Sequence, residues 1–241
     1  MVVAVVSDIH GNLTAFEAVL ADIRDASPDL VLLGGDLADS GSSPAEVIDR
    51  IRDLGWQGVM GNTDEMLVEP AALEEFASQS AAPAALWATI REIAAATRAA
   101  LGEERLAWLR ELPRVKIREN LALVHATPES CWSSPAPNAS TAELEDAYGW
   151  LGPDIVAFGH THVPSVHTLT GKPKLVVNTG SVGLSYDGDS RASYLLLKDG
   201  VASIRRVEYD VEKELKALGR CGLPGAEWTA KTLRKSSPQM L

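Results

Sequence analysis

Short apolar runs ending in glycine and acid-rich turns alternate with helically spaced segments along the first part of the chain. Val2 to Val6 is an unbroken apolar run that stops at Asp8-Ile9-His10-Gly11-Asn12, the pattern of a strand covered on both faces. Asn12 is a good N-cap, and Leu13, Phe16, Leu20 and Ile23 then recur at helical spacing until Ser27-Pro28. Leu30 to Leu33 is a second buried run, ending in Gly34-Gly35-Asp36. Ser43-Pro44-Ala45-Glu46 combines a capping box with proline at N1, and Val47, Ile48, Ile51 and Leu54 continue that helix. Trp56 to Met60 reads as a third strand, ending in Gly61-Asn62-Thr63-Asp64. Three strand-then-helix units in succession predict an α/β fold with a parallel sheet.

The period changes after Glu65. From 65 to 112 the spacing is helical, with Leu86, Ile90, Ile93 and Thr97 on one face and Leu101, Leu106 and Leu109 continuing it. This block is expected to be a helical insertion beside or over the sheet. Val115–Arg118 and Leu121–Val124 read as strands around Glu119-Asn120, and the second delivers His125. A proline-rich loop follows, then a helix capped at Ser140 and Glu143 that runs to about Tyr148. Ile155 to Phe158 is another buried run, ending in Gly159-His160-Thr161-His162. Val166–Leu169, Leu175–Asn178, Tyr194–Leu197 and Ala202–Val207 are separated by turn residues and predict an antiparallel second sheet. One amphipathic helix and a weakly specified tail are expected over about 210–241. No internal repeat interrupts the chain, and 1–241 is expected to form a single domain.

Composition narrows the class. Apolar residues make up 46% of the 241 positions, enough for a sizeable core. No segment reaches the 18 or so apolar residues of a membrane span, and the start lacks a basic region and cleavage site. A soluble, cytoplasmic protein without a membrane partner is the expectation. Cys131 and Cys221 are too few and too far apart for a disulfide framework or a CxxC site. The net charge is −11, from 33 acids and 22 bases. Such a surface repels polyanions at long range and disfavours a nucleic-acid partner. Small anionic substrates remain open, because local cations outweigh a global field.

The chemistry is concentrated where apolar runs end. Asp8, His10, Asp36, Asn62, His125, His160 and His162 each follow such a run, next to a turn, and four of the five histidines are among them. In open α/β sheets these positions line the crevice beyond the carboxyl ends of the strands. Asp8 and His10 are two apart, so an extended chain points both the same way. Taken singly, a histidine after a strand is ordinary, and Gly-Asp or Gly-Asn is turn chemistry. Seven nitrogen- and oxygen-donor side chains at one edge are the makings of a metal site, and mixed carboxylate, amide and imidazole donors suit manganese, iron, zinc, cobalt or nickel.

Asp8-x-His10, Gly35-Asp36, Gly61-Asn62-x-Asp64, His125 and Gly159-His160-x-His162, in this order, resemble the motifs of the calcineurin-like metallophosphoesterases. The resemblance extends through Asn178-Thr179-Gly180-Ser181, and the chain's size is similar to that of the compact bacterial and archaeal phosphodiesterases of that superfamily. It implies a two-sheet sandwich flanked by helices, a four-layer α/β/β/α fold with two metals held between loops. Carried over by position, Asp8, His10, Asp36 and His162 would hold one metal. Asp36, Asn62, His125 and His160 would hold the other, so that Asp36 bridges them and Asp36, Asn62 and His125 act at the reacting centre. Manganese is the first choice of metal by family habit. The implied activity is hydrolysis of a small phosphate ester, as a phosphodiesterase or small-molecule phosphatase, with a metal-bridging hydroxide as nucleophile.

Two positions depart from the pattern. Thr63 stands where many family members have a histidine that protonates the leaving group, and a hydroxyl is a poor acid near pH 7. This favours activated esters or diesters. Ala126 follows His125 where a glycine is common. Asp64 is expected either to orient the Asn62 loop from outside the ligand set or to be an exposed helix-capping acid; Asn12 is expected either to contact phosphate or to cap its helix. His167 and Arg191 read as structural or solvated, and Trp132 as a loop aromatic packed on the body. Two other readings stay open: a non-catalytic scaffold on the same fold, as in a retromer subunit that resembles these enzymes, and a nuclease of nucleic-acid ends. The sequence leaves room for a homo-oligomer.

Overall fold

A computed structural model describes residues 1–239; the last two positions of the expected tail, 240–241, lie outside the described residues. The chain runs β1 (Val2–Val6), α1 (Leu13–Ala26), β2 (Leu30–Leu33), α2 (Pro44–Leu54), β3 (Gln57–Gly58), α3 (Asn62–Val68), α4 (Pro70–Gln79) and α5 (Ala84–Arg110). It continues with β4 (Val115–Arg118), β5 (Leu121–Val124), α6 (Thr141–Tyr148), a 3-10 turn, β6 (Ile155–Phe158), β7 (Ser165–Thr168) and β8 (Leu175–Asn178). The last elements are β9 (Ala192–Lys198), β10 (Val201–Val207), α7 (Val211–Cys221) and α8 (Ala226–Lys235).

Two five-stranded mixed sheets face each other, ordered β10-β9-β1-β2-β3 and β4-β5-β6-β8-β7. β1, β2 and β3 are parallel, as are β5, β6 and β8; the remaining strands join antiparallel at the edges. Strand alternation sorts the apolar side chains. Val3, Val5, Leu32, Leu121, Leu123, Ile155, Ala157 and Val177 fill the layer between the sheets. Their neighbours Ala4, Val6 and Leu33 turn outward against α1, α2 and the helices of the insertion. On the other side Ala122, Val124, Val156, Phe158 and Val176 meet α6 and the 3-10 turn. This is the four-layer arrangement, and the period of two in each strand is its cause.

Four local expectations are corrected. The strand expected over Trp56–Met60 shortens to Gln57–Gly58; Val59 still donates its N–H to the Leu33 carbonyl of β2 at 2.9 Å, but Met60 turns its N–H to the Pro113 carbonyl at 2.9 Å. Ser43 makes no capping bond to α2; its hydroxyl lies 3.2 Å from that of Ser42. The four later strands do not form one antiparallel sheet. β7 and β8 extend the sheet of β6, while β9 pairs with β1 and carries β10. Alternation identifies a strand but not its neighbour, and β8 is buried because it lies parallel beside β6. The C-terminal segment is two helices rather than one: Gly222 ends α7 in a left-handed conformation at φ 71°, and α8 buries Thr229, Ala230, Thr232 and Leu233. Helix α5 is kinked at Gly102, where φ is 69° and ψ 168°. Among the described residues, no helix is long and apolar enough to cross a membrane.

Candidate metal centre

The parallel strands of both sheets end on the same side, so their following loops meet. Asp8 and His10 follow β1, Asp36 follows β2, Asn62 opens α3 after β3, His125 follows β5, and His160 and His162 follow β6. The structure brings all seven together. Five of them are held at positive φ: Asp8 at 55°, His10 at 50°, Asp36 at 55°, His160 at 68° and His162 at 57°. Non-glycine residues adopt this region at a cost of order 1–3 kcal/mol and collect where the surrounding fold holds a functional geometry.

Donor atoms form two groups that share Asp36. In one, His162 Nε2 lies 3.2 Å from Asp8 Oδ1 and 3.1 Å from His10 Nε2, and His10 Nε2 lies 3.6 Å from Asp36 Oδ2. One ligand atom from each of Asp8, His10, Asp36 and His162 lies within 4.8 Å of the others. In the second group, Asn62 Oδ1 is 3.0 Å from His125 Nε2 and 2.9 Å from His160 Nδ1, and His125 Nε2 is 3.5 Å from Asp36 Oδ1. Each carboxylate oxygen of Asp36 therefore faces a different group.

The donor set fits divalent metals on two counts. With bonds of about 2.1 Å, neighbouring ligand atoms stand about 3.0 Å apart in an octahedron and about 3.4 Å in a tetrahedron, the range seen here. The histidine tautomers supply the second. Nδ1 of His10, His125 and His162 meets the carbonyls of Asp39, Gly34 and Leu184 at 3.1, 2.7 and 2.5 Å. A carbonyl only accepts, so each Nδ1 carries a proton and each Nε2 turns inward. Two such nitrogens 3.1 Å apart, beside two carboxylates, require a proton or a cation between them.

Burial and charge set the protonation of this cluster. Burial raises the Asp36 carboxyl, but the His125 imidazole beside it wins and holds it well below the usual carboxylate range. Asp8 is likewise lowered, burial being overcome by His162. Burial lowers His125, yet Asp36 outweighs it and lifts the imidazole to about 10. His160 is pushed down to about 4, by burial and then by the charge of His125. At pH 7 a proton thus stands on His125 where a cation would take its lone pair. A divalent ion bound there displaces it, and affinity rises about tenfold per pH unit below pH 10 because the ion takes the neutral imidazole. Calorimetry in two buffers of different ionisation enthalpy should read close to one proton released from this group at pH 7; no release would contradict the assignment.

The surrounding residues fix the loops. Asp64, fully buried, accepts N–H bonds from Asp36, Leu37 and Gly61 at 2.8, 2.9 and 2.9 Å. Burial and the charge of Asp36 raise its pKa to about 6. Thr63 donates its backbone N–H to Asp36 Oδ1 at 2.9 Å. The amide of Asn12 is taken up internally: Oδ1 caps α1 at Ala15 N, and Nδ2 donates to the Gly183 carbonyl. At Gly61 a Cβ would land on Asp36 Oδ1, and at Gly159 on Asp8 Oδ2, so close approach rather than turn conformation demands glycine there. Ser181 donates to the Asp8 carbonyl at 2.8 Å, and Asn178 to the Gly159 carbonyl at 2.6 Å. His167 lies on edge strand β7 opposite Val176, outside the cluster. Arg191 pairs with Asp189. Trp132 donates to Glu65 and packs on Phe76 at 4.8 Å between ring centres.

A domain model described as the calcineurin-like phosphoesterase superfamily domain matches residues 1–199. The chain belongs to this superfamily. An uncharacterized protein of Methanocaldococcus jannaschii is 32% identical, the match covering 96% of each chain. A symmetrical bis(5'-nucleosyl)-tetraphosphatase of Aromatoleum aromaticum is 28% identical over 60% of this chain, and the match spans 51% of that protein. Among solved structures, a metallophosphoesterase from Sphaerobacter thermophilus superposes with a TM-score of 0.79 at 25% identity, over 98% of this chain and 100% of the other. A hypothetical protein from Pyrococcus horikoshii gives 0.84 at 19% identity over 99% of each. The superfamily and the Asp/His cluster together point to a hydrolase of phosphate esters that binds divalent metal.

Sequence reading missed three residues beside the cluster. Asp39 is buried three positions after Asp36, Tyr186 stacks on His162 with ring centres 4.2 Å apart, and Trp87 faces inward from α5. Burial raises the Asp39 carboxyl to about 7, against a hydrogen bond from Ser40. Only the return of α5 over the strand ends gives these residues their meaning, and no local motif marks them.

Proposed function

We propose that this protein is a two-metal hydrolase of small phosphate esters, with phosphodiesters preferred. Asp8, His10, Asp36 and His162 would hold one ion, and Asp36, Asn62, His125 and His160 the other. The observation that carries the reading is Asp36, whose two oxygens face separate donor groups. Bound there, two divalent cations would neutralise phosphoryl charge and supply a deprotonated water as nucleophile near neutral pH.

The chain's own groups account for the rest. The backbone N–H groups of Thr63 and His160 aim the carboxylates of Asp36 and Asp8, at 2.9 and 3.1 Å. Asp64 ties the Asp36 loop to the Asn62 loop. Tyr186 covers one face of His162 and keeps water from it. No strong acid stands at Thr63, so the leaving alcohol must be acidic enough to depart with little help. That favours diesters and activated esters. The cavity beside the cluster has no lysine or arginine among its lining residues, and a long polyphosphate would bring more negative charge than two ions offset. One phosphoryl group per substrate fits better than a chain of four. Manganese is the metal to try first, with iron, zinc, cobalt and nickel as alternatives.

Purified protein given manganese should hydrolyse a chromogenic phosphodiester such as bis(p-nitrophenyl) phosphate, and a chelator should abolish turnover until metal is restored. No turnover of mono- or diester with any of the five metals would favour a non-catalytic role.

A further inference from the structure

A cavity of about 330 Å³ opens directly from the Asp36 cluster and is walled mainly by the helical insertion. Met66, Phe76, Leu86, Ile90 and Ile93 give it an apolar wall, and Trp132, from the loop that follows His125, completes the lining beside them. No lysine or arginine is among its lining residues. The volume is at the low end for small-molecule sites, about 300–1,000 Å³, room for one small organic group next to the phosphoryl position.

Trp132 is not held at this wall by packing alone. Glu65 lies on α3, one turn beyond Asn62, and is only 8% exposed. Its Oε2 accepts the Trp132 indole N–H at 2.5 Å and the Cys131 thiol at 3.2 Å, while Oε1 pairs with Arg114. Burial, and then the charge of Glu65, raise the Cys131 thiol, so it stays a donor at neutral pH. A carboxylate out of water is costly unless it is paired and hydrogen-bonded; one guanidinium and two further donors meet this one. A hydrogen bond to a charged acceptor is roughly twice as strong as a neutral one, and it fixes the indole plane. The ring also packs on Phe76, with centres 4.8 Å and planes 30° apart, and Phe76 sits edge-on to Trp87 at 5.8 Å. Both lie within the range of favourable aromatic pairs. Neither Glu65, Arg114 nor Cys131 belongs to the two donor groups around Asp36. What their network holds is the ring that bounds the space beside those groups.

We propose that this cavity seats the organic group of the ester and selects an uncharged, apolar one, with Trp132 as the specificity-determining wall and Glu65 as the residue that positions it. The proposal rests on the phosphoester reading for its placement beside the reacting centre, but the wall is built by other residues. An apolar arm gains by leaving water for this lining. An arm with a second charge would lose its hydration and meet no cation there. The favoured substrate class is then an ester with one phosphoryl group and an apolar substituent.

The test uses phosphonates, which carry a single organic arm on a bond that is not hydrolysed. Methylphosphonate, phenylphosphonate and 4-carboxyphenylphosphonate are titrated into the metal-loaded full chain by calorimetry in one buffer. Phenylphosphonate should bind at least about tenfold more tightly than methylphosphonate, and the added carboxylate should remove that advantage. Trp132→Ala should reduce the phenyl-to-methyl ratio about fivefold. Glu65→Leu should reduce it about threefold, and by nothing more in a chain that already carries Trp132→Ala. Glu65→Gln, which keeps an acceptor for the indole, should retain most of the ratio. Metal content and a thermal melt show that each variant is loaded and folded, and the comparison of ligands on the unaltered chain stands without any variant. Equal affinity for methyl- and phenylphosphonate, a 4-carboxyphenyl ligand as tight as phenyl, or no saturable binding would overturn the proposal even in a protein that hydrolyses phosphodiesters. A full Glu65→Leu loss in the Trp132→Ala background would overturn the positioning role. The expected preference in a protein that hydrolyses no ester under any metal would support the apolar site and remove the hydrolase reading instead.

Discussion

Asp36→Asn should lower turnover of a phosphodiester by about 10³-fold or more and remove much of the bound metal, whereas Thr63→Ala should cost no more than about tenfold. Loss of an orienting group outside a ligand set costs about 10–100-fold, and Asp36 stands inside two sets at once. Its Oδ2 faces His10 and its Oδ1 faces His125. An amide keeps the shape but gives up the charge, and one of its two ends becomes a donor aimed at an imidazole nitrogen. Thr63 acts on Asp36 through its backbone N–H, which alanine retains. Steady-state rates with a metal analysis of each variant decide the matter. Equal losses in the two variants would mean that Asp36 is not shared.

Asp64→Ala should destabilise the folded chain by about 4 kcal/mol, the largest stability effect expected in this region. The carboxylate is fully buried and takes three backbone N–H groups, from Asp36, Leu37 and Gly61. Removing it leaves three buried donors unmet at about 1–3 kcal/mol each. Relief of the burial cost, and then of the repulsion by Asp36, which together raise Asp64 to about 6, offsets part of the cost. The loss is a large share of a typical 5–15 kcal/mol total. Urea denaturation of the metal-free protein reads it directly, and a change below about 1 kcal/mol would show that water replaces the carboxylate. Because the same bonds tie the Asp36 loop to the Asn62 loop, the variant should also bind metal more weakly.

The strand ends of this fold are legible in sequence because cause and consequence are adjacent. An apolar run sets a buried parallel strand, and the next few residues carry the donors: Val2–Val6 then Asp8 and His10, Ile155–Phe158 then His160 and His162. The sandwich follows from the resemblance those loops carry. Partner choice is harder to read. Leu175–Asn178 and Tyr194–Leu197 have much the same apolar pattern, yet one lies beside β6 and the other beside β1, since the connection between them passes from one sheet to the other through Val182 and Gly183, whose backbone N–H groups donate to the Ser7 and Asp8 carbonyls after β1. The end of α7 is written in Gly222 and Pro224, but helix α8 depends on packing against Leu184 and α7 that local spacing does not reveal.

The cavity wall was out of reach for a related reason. Trp87 shares the helical spacing of its neighbours, and Asp39 looks like any acid in a polar loop. Their roles arise only when α3 to α5 fold back over the cluster. The left-handed conformations of His10, His160 and His162 carry no sequence signal either, since glycine or asparagine is the residue expected at such an angle.

Metal stoichiometry is the most direct measure of the central claim. Protein stripped with a chelator, reloaded with manganese and freed of excess should carry two ions per chain, falling to one or none in Asp36→Asn. A wild-type protein that retains one ion or none after the same treatment would contradict a paired centre shared through Asp36.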